Sequence, residues 1–174
     1  QRIASNQFAG DPWKGIPAMA LTTMMNSGPA MVYFGQELGE AASGATGFSG
    51  NDGRTSIFDY TLIPTISKWL DRNIHPDYPD KASALRSEYV KMLLFAARNP
   101  VFSTGELYDL MWMNEDLPDM VRSRIFAFLR YYQDDIYLIT VSFDEQIQDV
   151  RIKIGEHAYR TIGVLPDRIR LQEL

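Results

Sequence analysis

The sequence predicts an α/β segment followed by an all-β antiparallel domain, with the change falling near residues 100–105. Three observations carry this reading. A continuous apolar run, "AMVYF" at 30–34, lies between two stretches of helical periodicity. Beyond Pro100 the apolar residues recur about every second position rather than every 3.6. Polar turn residues then separate the alternating stretches at hairpin spacing.

The first helix is expected over residues 12–26. Asp11 is a good N-cap, and Pro12 suits the first helical position because its missing N–H would have no partner there. Trp13, Ile16, Ala20, Thr23 and Met24 share one face, and Gly28 with Pro29 supplies the stop. The run at 30–34 is apolar at consecutive positions, as expected of a strand covered on both faces in a parallel sheet. Residues 35–80 are dense in Gly, Ser, Asn, Asp and Pro, which predicts a long, partly irregular connection. A second helix follows over 83–98, with Leu85, Tyr89, Met92, Leu93 and Ala96 on one face. In the C-terminal part, "SRIFAFLRYY" and "IYLITVSF" flank Gln133, Asp134 and Asp135 as a hairpin, and "DVRIKI" and "DRIRLQEL" continue the alternation. Five or six antiparallel strands are expected there.

Composition narrows the function. The 174 residues are 45% hydrophobic and carry a net charge of -5, enough apolar content for a core and the wrong sign for a phosphate-binding surface. The basic residues Arg151, Lys153, Arg160, Arg168 and Arg170 are interrupted by Glu156 and Asp167 and read as a solvated face. No nucleic-acid partner is expected. The longest apolar stretches fall well short of the roughly 20 residues that a membrane helix needs, so no membrane partner is expected. With no cysteine, thiolate catalysis and thiolate metal sites are excluded. The chain begins at Gln1 and reads as a piece of something longer.

One parallel strand cannot make a sheet, and the order of motifs suggests where its neighbours belong. The succession "NSGPAMVYFGQELGE", "FSGNDGRTSIFDY", "SALRSEYVKMLLFAARNP" and "RIFAFLRYYQDDIYLITVSFD" resembles the C-terminal third of an α-amylase-family glycoside hydrolase. That family's Gly-x-Pro-x-x-Tyr-(Tyr/Phe)-Gly-x-Glu pattern is matched by Gly28, Pro29, Tyr33, Phe34, Gly35 and Glu37. The resemblance implies that residues 1–103 are the last segment of a (β/α)8 barrel and residues 104–174 a C-terminal β-sandwich. It also implies retaining hydrolysis or transfer of α-glucosidic bonds in starch, glycogen or maltooligosaccharides. Arg2 matches the Arg that follows the family's Asn-His-Asp, which puts all three catalytic carboxylates upstream of Gln1. The chain alone is then expected to be inactive, to need the rest of its parent or to self-associate, and to hold no assignable ligand of the calcium found in the family.

The substrate-side candidates are Arg2, Glu37, Arg54 and Tyr60. Carboxylates and guanidinium groups bond sugar hydroxyls, and aromatic faces stack on sugar rings. A blander reading remains open, in which Glu37 and Glu40 cap or pair locally, with Arg54 as a partner. His75 and His157 lack companions at ligand spacing and read as ordinary surface or packing residues. Trp13 and Trp69 are weaker sugar platforms, helical spacing directing Trp13 to the core. Two other classes of function are a carbohydrate-binding module, using exposed aromatics such as Tyr131, Tyr132 and Tyr137, and a purely structural β domain attached to a barrel.

Overall fold

The computed structural model of the chain describes residues 10–33, 35–43, 63–71, 80–146 and 149–164. These belong to two compact units, one formed by Gln1–Thr23 with Gly28–Arg98 and the other by Met24–Ser27 with Asn99–Leu174.

In the first unit the chain enters its helix at the expected place. Asp11 Oδ1 accepts the Trp13 N–H at 3.0 Å, and Pro12 opens a 3-10 turn, Pro12–Lys14, that runs into α1, Gly15–Met24. The helix buries Gly15, Met19 and Thr23, and the Thr23 hydroxyl donates back to the Met19 carbonyl at 2.9 Å. A short helix, α2, spans Pro64–Leu70, again with Pro at its start. The long helix α3 spans Asp80–Arg98. Leu85 and Tyr89 of α3 close on Met19, with Ile16, Val32, Met92 and Leu93 around them. The i, i+4, i+7, i+8 spacing of Leu85, Tyr89, Met92 and Leu93 is therefore the buried stripe of the helix. Trp69 of α2 lies under the Arg86 guanidinium, 5.1 Å from ring centroid to Cζ.

The doubly buried strand expected at 30–34 does not form. Residues 30–33 have no regular structure, Pro29 to Met31 are exposed, and Met31 is 79% accessible; Phe34 lies outside the described residues. The physical reason is pairing. A strand's N–H and C=O groups need a neighbouring ladder, and among the described residues the only sheet lies in 106–142.

The second unit is built on that sheet. After α4, Pro100–Ser103, come β1 (Glu106–Asp109), a 3-10 turn at Met111–Met113, α5 (Asp119–Arg122), β2 (Ile125–Tyr132), β3 (Asp135–Ser142) and α6 (Glu156–Ile162). The order is β1-β2-β3, all antiparallel, with Tyr108 opposite Leu129 and Leu129 opposite Leu138. The β2–β3 hairpin turns at Gln133 and Asp134, where Gln133 takes φ of 55°. Tyr108, Leu110, Ala127 and Leu129 pack against Ala158 and Ile162 of α6. Two further residues of β2, Phe128 and Arg130, are also fully covered.

Arg130 is 1% exposed and pairs with no carboxylate among the described residues. Its guanidinium donates instead to backbone oxygens of Val101 (2.8 Å), Gly105 (2.8 Å), Phe102 (3.3 Å) and Met24 (3.2 Å), and to the Ser27 hydroxyl at 3.1 Å. Carbonyls at the end of a helical turn are unsatisfied acceptors, and a cation suits them. Burial pushes the Arg130 pKa down, opposed by the charge of Glu106. Gly105 is required for this close approach: a Cβ there would lie 2.4 Å from the Val101 carbonyl oxygen and 2.6 Å from that of Tyr131.

The barrel fragment and β-sandwich inferred for residues 1–103 and 104–174 are thereby corrected. The described residues form several helices and one three-stranded antiparallel sheet with a helix on it. "DVRIKI" forms no strand because the buried Asn114 side chain meets the backbone of Lys153, accepting its N–H at 2.7 Å and donating to its C=O at 3.1 Å. Ile152 and Ile154 still pack on the core. "DRIRLQEL" lies outside the described residues.

Replacing Arg130 by Ala should lower unfolding free energy by about 3 kcal/mol or more in urea titrations, since several buried acceptors lose a charged donor. Arg130→Lys should recover only part of this, one ammonium being unable to reach all five oxygens. Acid should also destabilise this unit. The Gln146 N–H and then Arg124 hold the Asp144 carboxyl below its ordinary value of 3.8, and Lys153 does the same for Asp116. Their stabilisation is complete above 3.8 and disappears as the pH falls through their depressed folded values. Asp144→Asn should therefore flatten the acid limb of a stability-pH curve relative to the parent chain.

Candidate functional site

The segment following the apolar run folds into a tight, self-bonded loop. Gly35 and Gly39 both have φ of 79°, a left-handed conformation that glycine adopts without Cβ strain, and they bracket the 3-10 turn Gln36–Leu38. Gln36 N–H donates to Tyr33 C=O at 2.9 Å, and Glu40 N–H donates to Gly35 C=O at 2.9 Å. Glu40 is 4% exposed, and its Oε1 accepts the Ala42 N–H at 2.8 Å. Glu40 thus does the local capping that the blander reading assigned to it.

Gln36 ties the loop to α3 by donating to the Tyr89 hydroxyl at 3.2 Å. Burial raises the pKa of Tyr89; the Gln36 bond lowers it and the Glu37 charge adds to the rise. Glu37 is half-buried, and its Oε2 is shut off from solvent with no hydrogen-bond partner among the described residues. A carboxylate oxygen in that position has unused acceptor capacity.

Of the substrate-side candidates, only Glu37 falls in the described structure. Arg2, Arg54 and Tyr60 lie outside the described residues, as does His75. The other face of the loop, Leu38 and Gly39, lines an open cleft of about 800 Å³ with Trp13, Lys68, Lys81 and Leu85. Trp13 is 39% exposed, so the core position expected from helical spacing is corrected: its ring forms part of the cleft wall. The face of Trp69 is occupied by Arg86. Tyr137 donates to Asn99 Oδ1 at 3.0 Å and packs on Phe102, which removes it from the exposed aromatics.

Among the described residues no group of three or more His, Asp or Glu could hold a metal ion, and no helix is long and apolar enough to cross a membrane. Comparison of the chain with protein-family models, curated proteins and solved structures finds no match.

The loop should be sensitive at its glycines and tolerant at Glu37. Gly39→Ala faces left-handed strain of about 1–2 kcal/mol and a Cβ 3.0 Å from Pro12 Cγ. Its urea midpoint should fall clearly. Glu37→Gln should leave the midpoint unchanged or raise it, because the substitution removes charge from an oxygen without a partner among the described residues.

Proposed function

We propose that this chain is a portion of an α-glucan-acting glycosidase that hydrolyses or transfers α-glucosidic bonds with retention, its catalytic carboxylates lying outside these 174 residues. The reading rests on the ordered pattern Gly28, Pro29, Tyr33, Phe34, Gly35 and Glu37, and not on a barrel or a sandwich. The observation that carries it is Glu37 itself, a half-buried carboxylate on a glycine-bracketed loop whose Oε2 has no hydrogen-bond partner among the described residues. Groups kept at a cost in stability are characteristic of binding sites. In this proposal the half-buried Glu37 carboxylate meets a hydroxyl of the bound glucan through its solvent-accessible part, Arg2 and Arg54 donate to substrate oxygens, and Tyr60 offers a ring face to a sugar.

The experiment is a substrate panel on the natural polypeptide that contains this chain. Cleavage of starch, glycogen or maltooligosaccharides, with cellulose and xylan untouched, is expected; action on β-linked glucans alone would overturn the proposal. Glu37→Gln in that polypeptide should raise KM about tenfold, the worth of one hydrogen bond to a charged group. The 174-residue chain by itself should be inactive on every member of the panel.

A further inference from the structure

Trp112 is the outward-facing member of an otherwise inward-facing turn. It is 52% exposed, while Met111 and Met113 on either side pack against the core. Both flanking sulfurs also accept backbone N–H groups, Met111 Sδ from Ala127 at 3.3 Å and Met113 Sδ from Gly155 at 3.1 Å. Asp109 Oδ1 accepts the Met111 N–H at 2.7 Å, and the wholly buried Asn114 holds the Leu110 carbonyl at 2.7 Å. The turn is therefore fixed at both ends, and the indole stands on a rigid base.

The ring is also braced from the side. His157 meets it edge-on, with centroids 5.7 Å apart and planes at 86°, and Tyr108 lies 6.4 Å away. The Tyr108 hydroxyl is 2.7 Å from His157 Nδ1. Burial raises the Tyr108 pKa, with the Trp112 indole N–H acting against it and the Asp109 charge adding to it, so the phenol keeps its proton at neutral pH. With Nδ1 engaged by the phenol, Nε2 is the ring nitrogen left for an outside partner. The exposed His157 then presents Nε2 as a hydrogen-bonding group beside the indole, and the hydroxyl of the exposed Thr161 donates to the His157 carbonyl at 2.8 Å.

An isolated apolar residue on a surface needs no explanation. A pre-positioned indole with an imidazole edge-on to it is different, because the pair is complementary to one chemical class. A pyranose ring has a C–H face that stacks on an indole and a rim of hydroxyls that both donate and accept.

We propose that Trp112 and His157 form a surface α-glucan-binding platform, with the indole stacking on one glucose unit and His157 Nε2 hydrogen-bonding to one of its hydroxyls. The choice of α-linked glucan rests on the function proposed above; the choice of a sugar ring rests on the platform.

The test uses the 174-residue chain in native gels containing amylopectin, and in fluorescence titrations with maltoheptaose. The parent chain should be retarded. Trp112→Ala should weaken binding at least tenfold, Trp112→Phe only a few-fold, and His157→Ala about two- to tenfold, the worth of one neutral hydrogen bond. Far-ultraviolet circular dichroism identifies any variant that fails to fold, and Trp112→Phe, which keeps a ring, serves if Trp112→Ala does. A parent chain that ignores both ligands, or a Trp112→Ala chain that folds and binds as the parent does, overturns the platform. The substrate panel on the longer polypeptide judges the proposed function separately. Retardation by a β-glucan gel, with none by amylopectin, overturns the α-glucan assignment.

Discussion

Arg130 brings a positive charge into the interior of the C-terminal unit, and the arrangement around it follows from the need to satisfy that charge. The guanidinium is a rigid planar donor; its Nη1 meets the Met24 carbonyl and its Nη2 faces oxygens of Ser27, Val101, Phe102 and Gly105, while Nε has no partner among the described residues. These come from two segments far apart in sequence. The central strand thus holds the entry to the unit and the end of α4 through one side chain. Gly105 is part of the same constraint, because any Cβ would push backbone oxygens apart where they converge. A hydrophobic residue at 130 could fill the volume but would withdraw the guanidinium donors from these oxygens, while the Val101 carbonyl would keep its bond from the Gly105 N–H.

The same logic of satisfied backbone recurs at the loop around Glu37 and the turn around Trp112. At residues 35–40 two left-handed glycines and a closed set of main-chain bonds fix the loop, which leaves Glu37 free of capping duties that Glu40 performs instead. At residues 109–114 Asp109, Asn114 and two methionine sulfurs fix a turn, and Trp112 is left facing out. In each case the neighbouring residues supply the rigidity and one side chain is held available. Pre-positioning of this kind lowers the entropy lost on binding.

Local chemistry was the most legible part of the sequence. Asp11 and Pro12 start a helix because capping and a fixed φ act within one turn, and α3 is readable because its apolar stripe keeps helical spacing over the whole element. The hairpin register follows from alternation on both sides of a two-residue turn. What failed depends on neighbours that periodicity does not name. "AMVYF" is apolar at every position, and such a run does not specify a partner strand. "DVRIKI" alternates as a strand would, yet Asn114, 39 residues earlier, takes its backbone bonds. The helix α6 had legible boundaries in Gly155 and the left-handed Gly163, with Glu156 in the first turn, but the alternation around it masked them. Of the candidate site, Glu37 was readable from its motif, whereas Trp112 and His157 were not, because their value lies in a ring geometry 45 residues apart in sequence.

The proposed α-glucan function rests on the Gly28–Glu37 pattern and on the Trp112–His157 pair. Its most demanding claim is the stereochemistry, since retention requires a glycosyl-enzyme intermediate on a carboxylate supplied from elsewhere in the natural polypeptide. Proton NMR of the anomeric signals during the first minutes of maltoheptaose cleavage by that polypeptide reads this directly. The account predicts that the newly released reducing ends appear first as the α-anomer and then mutarotate. Initial release of the β-anomer, or no cleavage at all, would contradict it.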